Sequence, residues 1–471
     1  MIKNIIDIFF TCCGTLGLLL IIIAFVYTIF KLIRKKKIAS LFLFLSIVML
    51  MFIPLTFKII NLSAGFILIV NALFYGYFVF CFLIRKNKKN INIANKECPT
   101  ISIVIPCKNE SNVIGATLTS MSQIDYPKSN IEIIVIDDNS TDNTLAIAKS
   151  MDYIKNLKVI HNSESYGKSN SINRILKDIY TEFILVLDAD HLIDKDYINK
   201  ALLNFKNSKV ACVQSINSIR NGHTNILTRL IQMEYLGRYE VLYSGRSMGL
   251  FMGSGGVFKT NILKSLGGFD GHMLTEDIEV SYRVYEAGYK IVFDDSLSTY
   301  ELTTIDIKNY FKQRHRWFRG IMQSFKHHLP KMLTNSKNTL QQKFFFIHVI
   351  IEFFALPSYL LVNVLYALDI FTIFPFDFKY FLYIETFILA IVLSVAIIKT
   401  KKPALFIFLP LIVPYYVFYA LPNLIAIIDN SIIKAEKVWI KTDRSNIEYE
   451  ELSHQLYVDY LHIKKYGLCH L

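Results

Sequence analysis

The sequence predicts an α/β protein in which a globular domain with a mostly parallel sheet is inserted between α-helical transmembrane segments. Three observations predict this class. Apolar runs long enough to cross a bilayer occur towards both ends of the 471 residues. Between them, short β-branched segments alternate with helical stretches, as in parallel α/β sheets. The 53% hydrophobic content and the positive mean hydropathy also exceed what ordinary soluble proteins show.

Residues 1–90 are predicted to contain about three membrane spans, at residues 7–30, 41–55 and 63–83. The first span is longer than a signal-peptide core and lacks a small-residue cleavage site, so we expect it to be retained. Basic blocks at residues 31–37 and 85–89 place these two loops in the cytoplasm, and the amino terminus outside. The domain that follows is therefore expected to be cytoplasmic.

Residues 91–300 are predicted to form the globular domain. Its predicted strands are apolar, β-branched and followed by polar residues, and they cover residues 101–106, 131–136, 158–160, 183–187 and 210–213. Helices are predicted between them, for example at residues 112–123 and 144–151, which gives successive βαβ units. Because ligands of such sheets bind at the carboxyl ends of the strands, the strand ends are the first candidates for a functional site.

Amphipathic helices are predicted at residues 301–342 and further membrane segments at residues 343–430. The apolar runs within this last part cover residues 344–368, 381–398 and 404–428. Three full crossings would leave the tail, residues 431–471, outside the cell. We interpret the third run, which prolines interrupt, as a re-entrant element that keeps the tail cytoplasmic. A straight third crossing with an external tail is the alternative.

Charge and cysteine content exclude several classes of function. The net charge of +13 does not indicate a nucleic-acid partner, because the basic residues are concentrated beside apolar runs, where membrane orientation explains them. The seven scattered cysteines form no CxxC pair, so they indicate neither a zinc site nor a disulfide framework. A transporter or scaffold is disfavoured because the spans contain few charged residues, with Glu352 and Glu385 as exceptions.

Acidic pairs follow two of the predicted strands. Asp188 and Asp190 stand at positions i and i+2, a spacing that lets both carboxylates meet Mg²⁺ or Mn²⁺ from one side. Asp137 and Asp138 follow the neighbouring strand and would repel the first pair unless a cation or ligand compensated them. Each pair alone has another explanation, a solvated turn for the first and the start of a helix after the second.

Thr275-Glu276-Asp277 precedes an amphipathic stretch at residues 278–287. Thr275 is a suitable helix cap, which is the simpler explanation of this segment. The functional alternative is that Asp277 faces an acceptor pocket and serves as a general base for a hydroxyl group.

A basic helix is predicted around Gln313-Arg314-His315-Arg316-Trp317. Its spacing places Gln313, Arg316 and Trp317 on one side. Basic amphipathic helices commonly lie on a membrane surface, which is one explanation. The other is that Arg316 neutralises a diphosphate while Trp317 offers an apolar face to a sugar ring.

The order of these elements resembles the family 2 glycosyltransferases of the cellulose, hyaluronan and poly-N-acetylglucosamine synthase type. The resemblance covers roughly residues 101–325 and the flanking membrane helices. The motifs that carry it are, in family order, Pro106-Cys-Lys-Asn-Glu110, Asp137-Asp138, Gly167-Lys168, Asp188-Ala-Asp190, Gly253-Ser-Gly-Gly256, Thr275-Glu-Asp277 and Gln313-Arg-His-Arg-Trp317. It implies a cytoplasmic GT-A-type, Rossmann-like domain that uses a UDP-sugar with Mg²⁺ or Mn²⁺ and inverts the anomeric centre.

The resemblance also implies a role for each motif residue on the donor side. The residues implied to bind the donor nucleotide are Pro106, Lys108, Glu110, Asp137, Asp138, Lys168, Asp188, Gln313 and Arg316. Within this set the loop from Pro106 to Glu110, with Asp138, would hold the uracil and ribose, and Lys168 would approach the nucleotide. Asp188, Gln313 and Arg316 would contact the diphosphate. Asp190, together with Asp188, would hold the metal.

On the acceptor side, Asp277 is implied to be the catalytic base, with Glu276 beside it. Acceptor contacts are implied for Phe251, Gly253, Ser254 and Trp317. Beyond the last apolar run, Trp439, Thr442 and Arg444 resemble a gating segment of some of these synthases. An amphipathic anchor at the membrane is the alternative for that segment.

The expected function follows from this resemblance. It implies a multi-pass enzyme of the plasma membrane that adds glucose or N-acetylglucosamine to a growing β-linked polysaccharide and exports it. Transfer of one or a few sugars to a lipid is the alternative. The expected partners are a UDP-sugar, a glycan or glycolipid acceptor and membrane lipids, with an accessory export subunit as a further candidate.

Overall fold

The computed structural model describes residues 63–84, 98–243, 248–369 and 379–430, and the statements below concern these ranges. The first two predicted spans, both basic blocks and the segment with Trp439, Thr442 and Arg444 lie outside the described residues. The chain divides into two compact units. Among the described residues, one unit contains those within 75–347 and 390–412, and the other contains 63–74, those within 348–389, and 413–430.

The larger unit is built on a sheet with the strand order β3-β2-β1-β4-β7-β6-β8-β5. The strands are β1 (Ile101–Cys107), β2 (Ile131–Asp137), β3 (Leu157–His161), β4 (Phe183–Val186), β5 (Leu192–Ile193), β6 (Val210–Ile219), β7 (Gly256–Lys259) and β8 (Lys290–Glu301). Strands β5 and β7 run against their neighbours, whereas the others share one direction. The sheet is therefore mostly parallel, as predicted.

Twelve α-helices are described across the two units. They are α1 (Ser63–Ile84), α2 (Ile114–Ser122), α3 (Thr144–Ser150), α4 (Lys168–Leu176), α5 (Tyr197–Leu202), α6 (Ile226–Tyr235), α7 (Thr260–Ser265), α8 (Glu276–Glu286), α9 (Ile307–Thr334), α10 (Leu340–Asp369), α11 (Lys379–Lys399) and α12 (Ile412–Ile428). Helix α6 continues as a π-helical segment, Leu236–Tyr243. Helices between the first strands produce the predicted βαβ pattern.

The central strands are buried on both faces. Every residue of β1 and of β4 is buried, so their sequences are continuous apolar runs without alternation. Helix α2 contributes Leu118 and Met121 to the same core as Ile103 and Leu185. Burial of such side chains stabilises each by about 1.5–3 kcal/mol. This core holds the carboxyl ends of the strands in fixed positions.

The register brings the predicted site segments to one edge of the sheet. Cys107 at the end of β1 pairs with Asp137 at the end of β2, and Val104 pairs with Val186 of β4. The chain leaves all three strands at this edge because they are parallel. The loop after β1, the Asp137-Asp138 pair and the Asp188-Ala-Asp190 segment therefore start as neighbours.

Four helical segments of the described chain are long and apolar enough to cross a membrane, by length and composition: Ser63–Ile84, Leu340–Val364, Leu382–Lys399 and Pro403–Ile428. They coincide with the four predicted apolar runs that the structure describes. The last begins as a 3₁₀ helix, Pro403–Leu411, and continues as α12. That this segment is re-entrant stays a prediction.

Polar contacts link the helices of the smaller unit. The Asn71 amide donates to Glu385 Oε1 at 2.7 Å, and the Asn423 amide donates to the carbonyl oxygen of Phe353 at 2.8 Å. Such buried contacts are a common way of joining helices that lie among apolar surfaces. Glu385, an exception among the apolar residues of its segment, is thus part of the packing between α1 and α11.

Candidate active site

The loops after β1 and β2 are hydrogen-bonded to each other. The backbone N–H of Asn109 donates to Ser140 Oγ at 2.9 Å, and the N–H of Thr141 donates to Asn109 Oδ1 at 2.8 Å. Asn109 and Asn139 have positive φ angles of 53° and 59°, a conformation that Asn tolerates well. The predicted nucleotide-binding residue Lys108 lies in this paired loop, whereas Pro106 is buried within β1.

Asp138 holds the loop that leads to Lys168. Its buried carboxylate accepts hydrogen bonds from the side chains of Asn162, Ser165 and Ser171 and from the N–H groups of Tyr166 and Gly167, at 2.7 to 3.0 Å. Burial alone would raise the pKa of Asp138, but these donors outweigh it and lower the pKa to about 2. The carboxylate is thus occupied by its own chain, so Asp138 shapes the loop from within.

Asp137 is oriented towards β3. Its Oδ2 atom lies 2.8 Å from His161 Nδ1 and accepts a hydrogen bond from the N–H of Ser140. The side chain is fully buried. Together with Asp138, it therefore fixes the two loops beside the strand ends.

Lys168 connects three of the predicted motifs. Its Nζ atom lies 2.6 Å from Asp188 Oδ1 and 3.7 Å from Glu276 Oε1, and it donates to the carbonyl oxygen of Gly253 at 2.8 Å. Burial lowers the pKa of Lys168, but the charges of Asp188 and Glu276 outweigh burial and raise it. Lys168 is therefore a permanent cation, and it draws the Asp-Ala-Asp, Gly-Ser-Gly-Gly and Thr-Glu-Asp segments together.

Asp190 is buried and forms part of a chain of charged groups. Its Oδ1 atom lies 3.4 Å from His191 Nδ1, and His191 Nε2 lies 3.3 Å from Glu301 Oε2 at the end of β8. Burial lowers the pKa of His191, but the two carboxylates raise it to about 10. His191 therefore lies between the carboxylates of Asp190 and Glu301. Sequence reasoning assigned no role to Glu301.

The residues at this edge fit a divalent cation. Ligand atoms of Asp188, Asp190 and His191 lie within 4.8 Å of one another. Both His191 nitrogens already face carboxylates, so the oxygens of Asp188 and Asp190 are the better ligands for Mg²⁺ or Mn²⁺. Carboxylates also outnumber cations here: the five carboxylates are those of Asp188, Asp190, Glu276, Asp277 and Glu301, and the four cations are Lys168, His191, Arg220 and Arg316.

Asp277 lies in the first turn of α8, beside Gly253. A methyl group added at Gly253 would lie 3.3 Å from Asp277 Oδ2, and the φ angle of Gly253 is +84°. Burial and then the Glu276 charge raise the pKa of Asp277 to about 7, although the N–H of Ile278 and the charges of Lys168 and Arg316 oppose this rise. The carboxylate is thus poised to gain or lose a proton near neutral pH.

Helix α9 packs directly on the Thr275-Glu276-Asp277 segment. Gly320 permits this contact, since a methyl group added there would lie 2.4 Å from Thr275 Oγ1. Arg316 Nη1 donates to the carbonyl oxygen of Leu274 at 3.3 Å. His328 of the same helix lies 3.2 Å from Glu279 Oε1 and 2.9 Å from Glu286 Oε1 of α8. The helix with the predicted base and the helix with Arg316 are therefore joined along their lengths.

Two of the residues predicted to contact the acceptor, Phe251 and Ser254, have buried side chains. Phe251 is fully buried, and its ring packs against Phe258 and Phe269 at 5.0 and 5.8 Å between ring centroids. Ser254 is also buried, and its Oγ atom accepts a hydrogen bond from the N–H of Asp188 at 2.9 Å. Both buried side chains thus anchor the Phe251–Ser254 segment to the domain core. Within this segment, Gly253 is the residue that faces Lys168 and Asp277.

The remaining predicted residues of this edge are partly exposed, namely Lys108, Glu110, Gln313 and Trp317. Glu110 is placed by its backbone, whose N–H donates to Thr144 Oγ1 at 2.7 Å. The ring of Trp317 lies 4.4 Å from the guanidinium carbon of Arg314. Sequence reasoning assigned no role to Arg314, which is buried on α9.

Comparison with known proteins identifies the domain. Residues 99–320 match the family model described as glycosyltransferase like family 2. The chain carries a family 2 glycosyltransferase domain and is a glycosyltransferase. This finding confirms the resemblance drawn from the motifs.

Two relatives extend the similarity. The probable glycosyltransferase YdaM of Bacillus subtilis (strain 168) is 29% identical to this glycosyltransferase over 376 residues, which are 74% of this chain and 88% of that protein. The poly-beta-1,6-N-acetyl-D-glucosamine synthase of Staphylococcus epidermidis is 31% identical over 261 residues, which are 54% of this chain and 61% of the relative. The chain therefore spans less than two thirds of that synthase.

A solved structure supports the fold of the glycosyltransferase. The mannosyltransferase PcManGT from Pyrobaculum calidifontis, determined in complex with GDP-Man and Mn²⁺, aligns with a TM-score of 0.53 at 19% sequence identity. The alignment covers 79% of this chain and 100% of the mannosyltransferase. Together with the mostly parallel sheet, this likeness confirms the predicted GT-A-type fold.

We expect Asp138→Asn to lower the free energy of unfolding by about 2–3 kcal/mol, because the amide nitrogen would face donors that now bond a charged acceptor. Thermal unfolding of the purified full chain measures the change. Asp152→Asn, at an exposed position, is the matched control and should leave the melting temperature unchanged. Equal melting temperatures for both variants would contradict the role given to Asp138.

Proposed function

We propose that this glycosyltransferase transfers glucose or N-acetylglucosamine from a UDP-sugar to the end of a growing β-linked polysaccharide, with inversion and with a divalent metal ion. The observation that carries the proposal is the convergence at Lys168, which brings Asp188, Gly253 and Glu276 into direct contact with one ammonium group. The likeness to a poly-beta-1,6-N-acetyl-D-glucosamine synthase supports the class of donor and product.

In the proposed reaction, Asp277 accepts the proton of an acceptor hydroxyl group. The hydroxyl oxygen forms a bond to the anomeric carbon as the bond from that carbon to the diphosphate oxygen breaks. The electron pair of the broken bond leaves with UDP. A single displacement of this kind converts an α-linked donor into a β-linkage. A base with a pKa of about 7 is well matched to this proton transfer at neutral pH.

Cationic groups stabilise the leaving diphosphate in this proposal. Lys168 and Arg316 supply fixed positive charge from two different helices. Asp188 and Asp190 would hold Mg²⁺ or Mn²⁺, which supplies further charge neutralisation of the diphosphate. The excess of carboxylates at this edge favours such a cation, since like charges at short distance repel.

The donor nucleotide and the acceptor sugar are proposed to bind to different residues of the site. The loop with Lys108 and Glu110 would hold the uracil and ribose, and Gln313 would contact the diphosphate. The partly exposed ring of Trp317 would stack on the terminal sugar of the acceptor beside Gly253. The stacking area of an indole ring suits the apolar face of a pyranose.

The apolar helices support a further part of the proposal. We place the protein in the plasma membrane as a multi-pass enzyme with its catalytic domain in the cytoplasm, where UDP-sugars are made. Four helices suited to a bilayer are consistent with export of the product between them. Membrane lipids and an accessory export subunit are the proposed partners outside the catalytic domain.

The experiment that tests the donor and the metal uses the purified full chain with a panel of UDP-sugars and Mg²⁺ or Mn²⁺. We expect UDP release and a long β-linked product with UDP-N-acetylglucosamine or UDP-glucose. A chelator should abolish both, and added metal should restore them. The proposal would fail if no UDP-sugar supported release, or if the chelator had no effect. Short glycolipid products would instead favour transfer to a lipid.

For the base, Asp277→Asn should lower the rate of transfer by about 10²–10⁴-fold, because the amide cannot accept the proton. Binding of the UDP-sugar, measured by calorimetry, should be retained. Asp178→Asn, which removes an exposed carboxylate, is the matched control with unchanged rate. A normal rate in Asp277→Asn would show that another group is the base.

The pH dependence of kcat/KM follows from the raised pKa of Asp277. Only the deprotonated carboxylate accepts a proton, so activity should be full well above pH 7 and should fall tenfold per pH unit well below it, with the midpoint near the pKa of about 7. Rates measured from about pH 5.5 to about pH 8.5 test this. A flat profile over this range would contradict the assignment.

A further inference from the structure

A buried ion pair lies behind the proposed acceptor site. Arg314 of α9 donates from Nη2 to Glu234 Oε2 of α6 at 3.0 Å. Each side chain is only 1% exposed. The two residues are 80 positions apart in the sequence, and neither has a role in the reaction described above. Their burial distinguishes this pair from the surface ion pairs of the domain.

The Arg314 guanidinium also lies among aromatic rings. Its central carbon is 4.4 Å from the centre of the Trp317 ring, 5.1 Å from that of Tyr310 and 5.8 Å from that of Tyr235. A guanidinium group stacks on aromatic faces and gains energy from the ring quadrupole. Since Glu234 fixes the guanidinium, it indirectly limits where the Trp317 ring can lie.

Helix α6, which carries Glu234, is anchored at its first turn to the segment that precedes α9. Asn225 caps its first turn by accepting a hydrogen bond from the N–H of Thr228 at 2.9 Å. The same side chain donates to the carbonyl oxygen of Ile305 at 2.8 Å, just before α9 begins. Helices α6 and α9 are thus joined both at this end and at the Glu234–Arg314 pair.

Stability alone does not account for a pair of this kind. Apolar residues of similar volume often replace a buried ion pair without loss of stability, whereas removal of one partner is costly. The hydrogen bond that Glu234 accepts from Arg314 is directional, whereas apolar contacts are not. It can therefore fix the orientation of the guanidinium group. The guanidinium carbon lies over the indole ring of Trp317, 4.4 Å from the ring centre.

We propose that Glu234 is a positioning residue of the acceptor site. It orients Arg314, and Arg314 orients the Trp317 ring that stacks on the acceptor sugar. The inference rests on the proposed acceptor role of Trp317. Its expected signature is a weaker acceptor interaction with an unchanged donor interaction, because Glu234 bonds Arg314, and Arg314 lies over the ring of the acceptor-side residue Trp317.

Fluorescence tests the structural step without any substrate. The chain has two tryptophans, so Trp439→Phe leaves Trp317 as the single emitter. Adding Glu234→Gln should shift the emission to longer wavelength and increase quenching by acrylamide. Asp294→Asn removes a buried carboxylate whose partners are Asn204 and Ser296, and as the matched control it should leave the emission unchanged. Unchanged emission in the Glu234→Gln variant would overturn the proposal.

Kinetics test the functional step, with a short β-linked N-acetylglucosamine oligosaccharide as acceptor. Glu234→Gln should raise the acceptor KM on the order of tenfold to a hundredfold, while the donor KM stays within about twofold of the wild-type value. Asp294→Asn should leave the acceptor KM unchanged. Equal increases in donor and acceptor KM would overturn the positioning role.

The double variant Glu234→Leu, Arg314→Met separates positioning from folding. It removes both charges of the buried pair and should restore most of the melting temperature lost in Glu234→Gln. The restoration is not complete, because the partly exposed Arg238, 3.7 Å from Glu234 Oε1, also loses its carboxylate. The acceptor KM should nevertheless stay raised, because nothing orients the ring. Recovery of the acceptor KM in the double variant would show that the pair serves stability only. If the wild-type chain transferred no sugar at all, the proposed function would fail, whereas the fluorescence result would still decide the role of Glu234.

Discussion

The active site depends on the ammonium group of Lys168. It lies at the start of α4, and it contacts groups from three segments that are far apart in the sequence. Without this cation, Asp188 and Glu276 would face each other as like charges in a poorly solvated space. The Asp138 carboxylate accepts five hydrogen bonds, most of them from the loop that precedes Lys168. These bonds fix the loop and so place Lys168 in this position.

Much of the fold could be predicted because its core strands are buried on both faces. The predicted parts of β1, β2, β4 and β6 are rich in buried apolar residues, and such segments are conspicuous in a sequence. Strand β5 was missed because it contains only two residues, and β7 because its sequence, Gly-Val-Phe-Lys, has only two consecutive apolar side chains. Strand β8 was missed because its middle is polar, with Asp294, Asp295 and Ser296 in succession. The reversed direction of β5 and β7 left no signal in the sequence.

The site could be predicted to the level of segments, but less well to the level of side-chain direction. The strand-end rule and the motif order located Asp188, Asp190 and Asp277, and the structure brings their segments together around Lys168. A motif does not show which of its residues face the substrate. Phe251 and Ser254 were expected to contact the acceptor, and the structure buries both side chains. The partners Glu234 and Glu301 were missed because pairing across the fold leaves no local pattern.

The packing of α8 on α9 has a mechanical consequence. Gly320 brings the two helices into close contact at one end, and His328 is held between Glu279 and Glu286 at the other. Asp277, the proposed proton acceptor, and Trp317, the proposed acceptor-binding residue, are consequently carried by two helices that are tightly packed together. Separating α8 from α9 to admit substrates would break these contacts, so we expect the two helices to move as one unit when donor and product exchange.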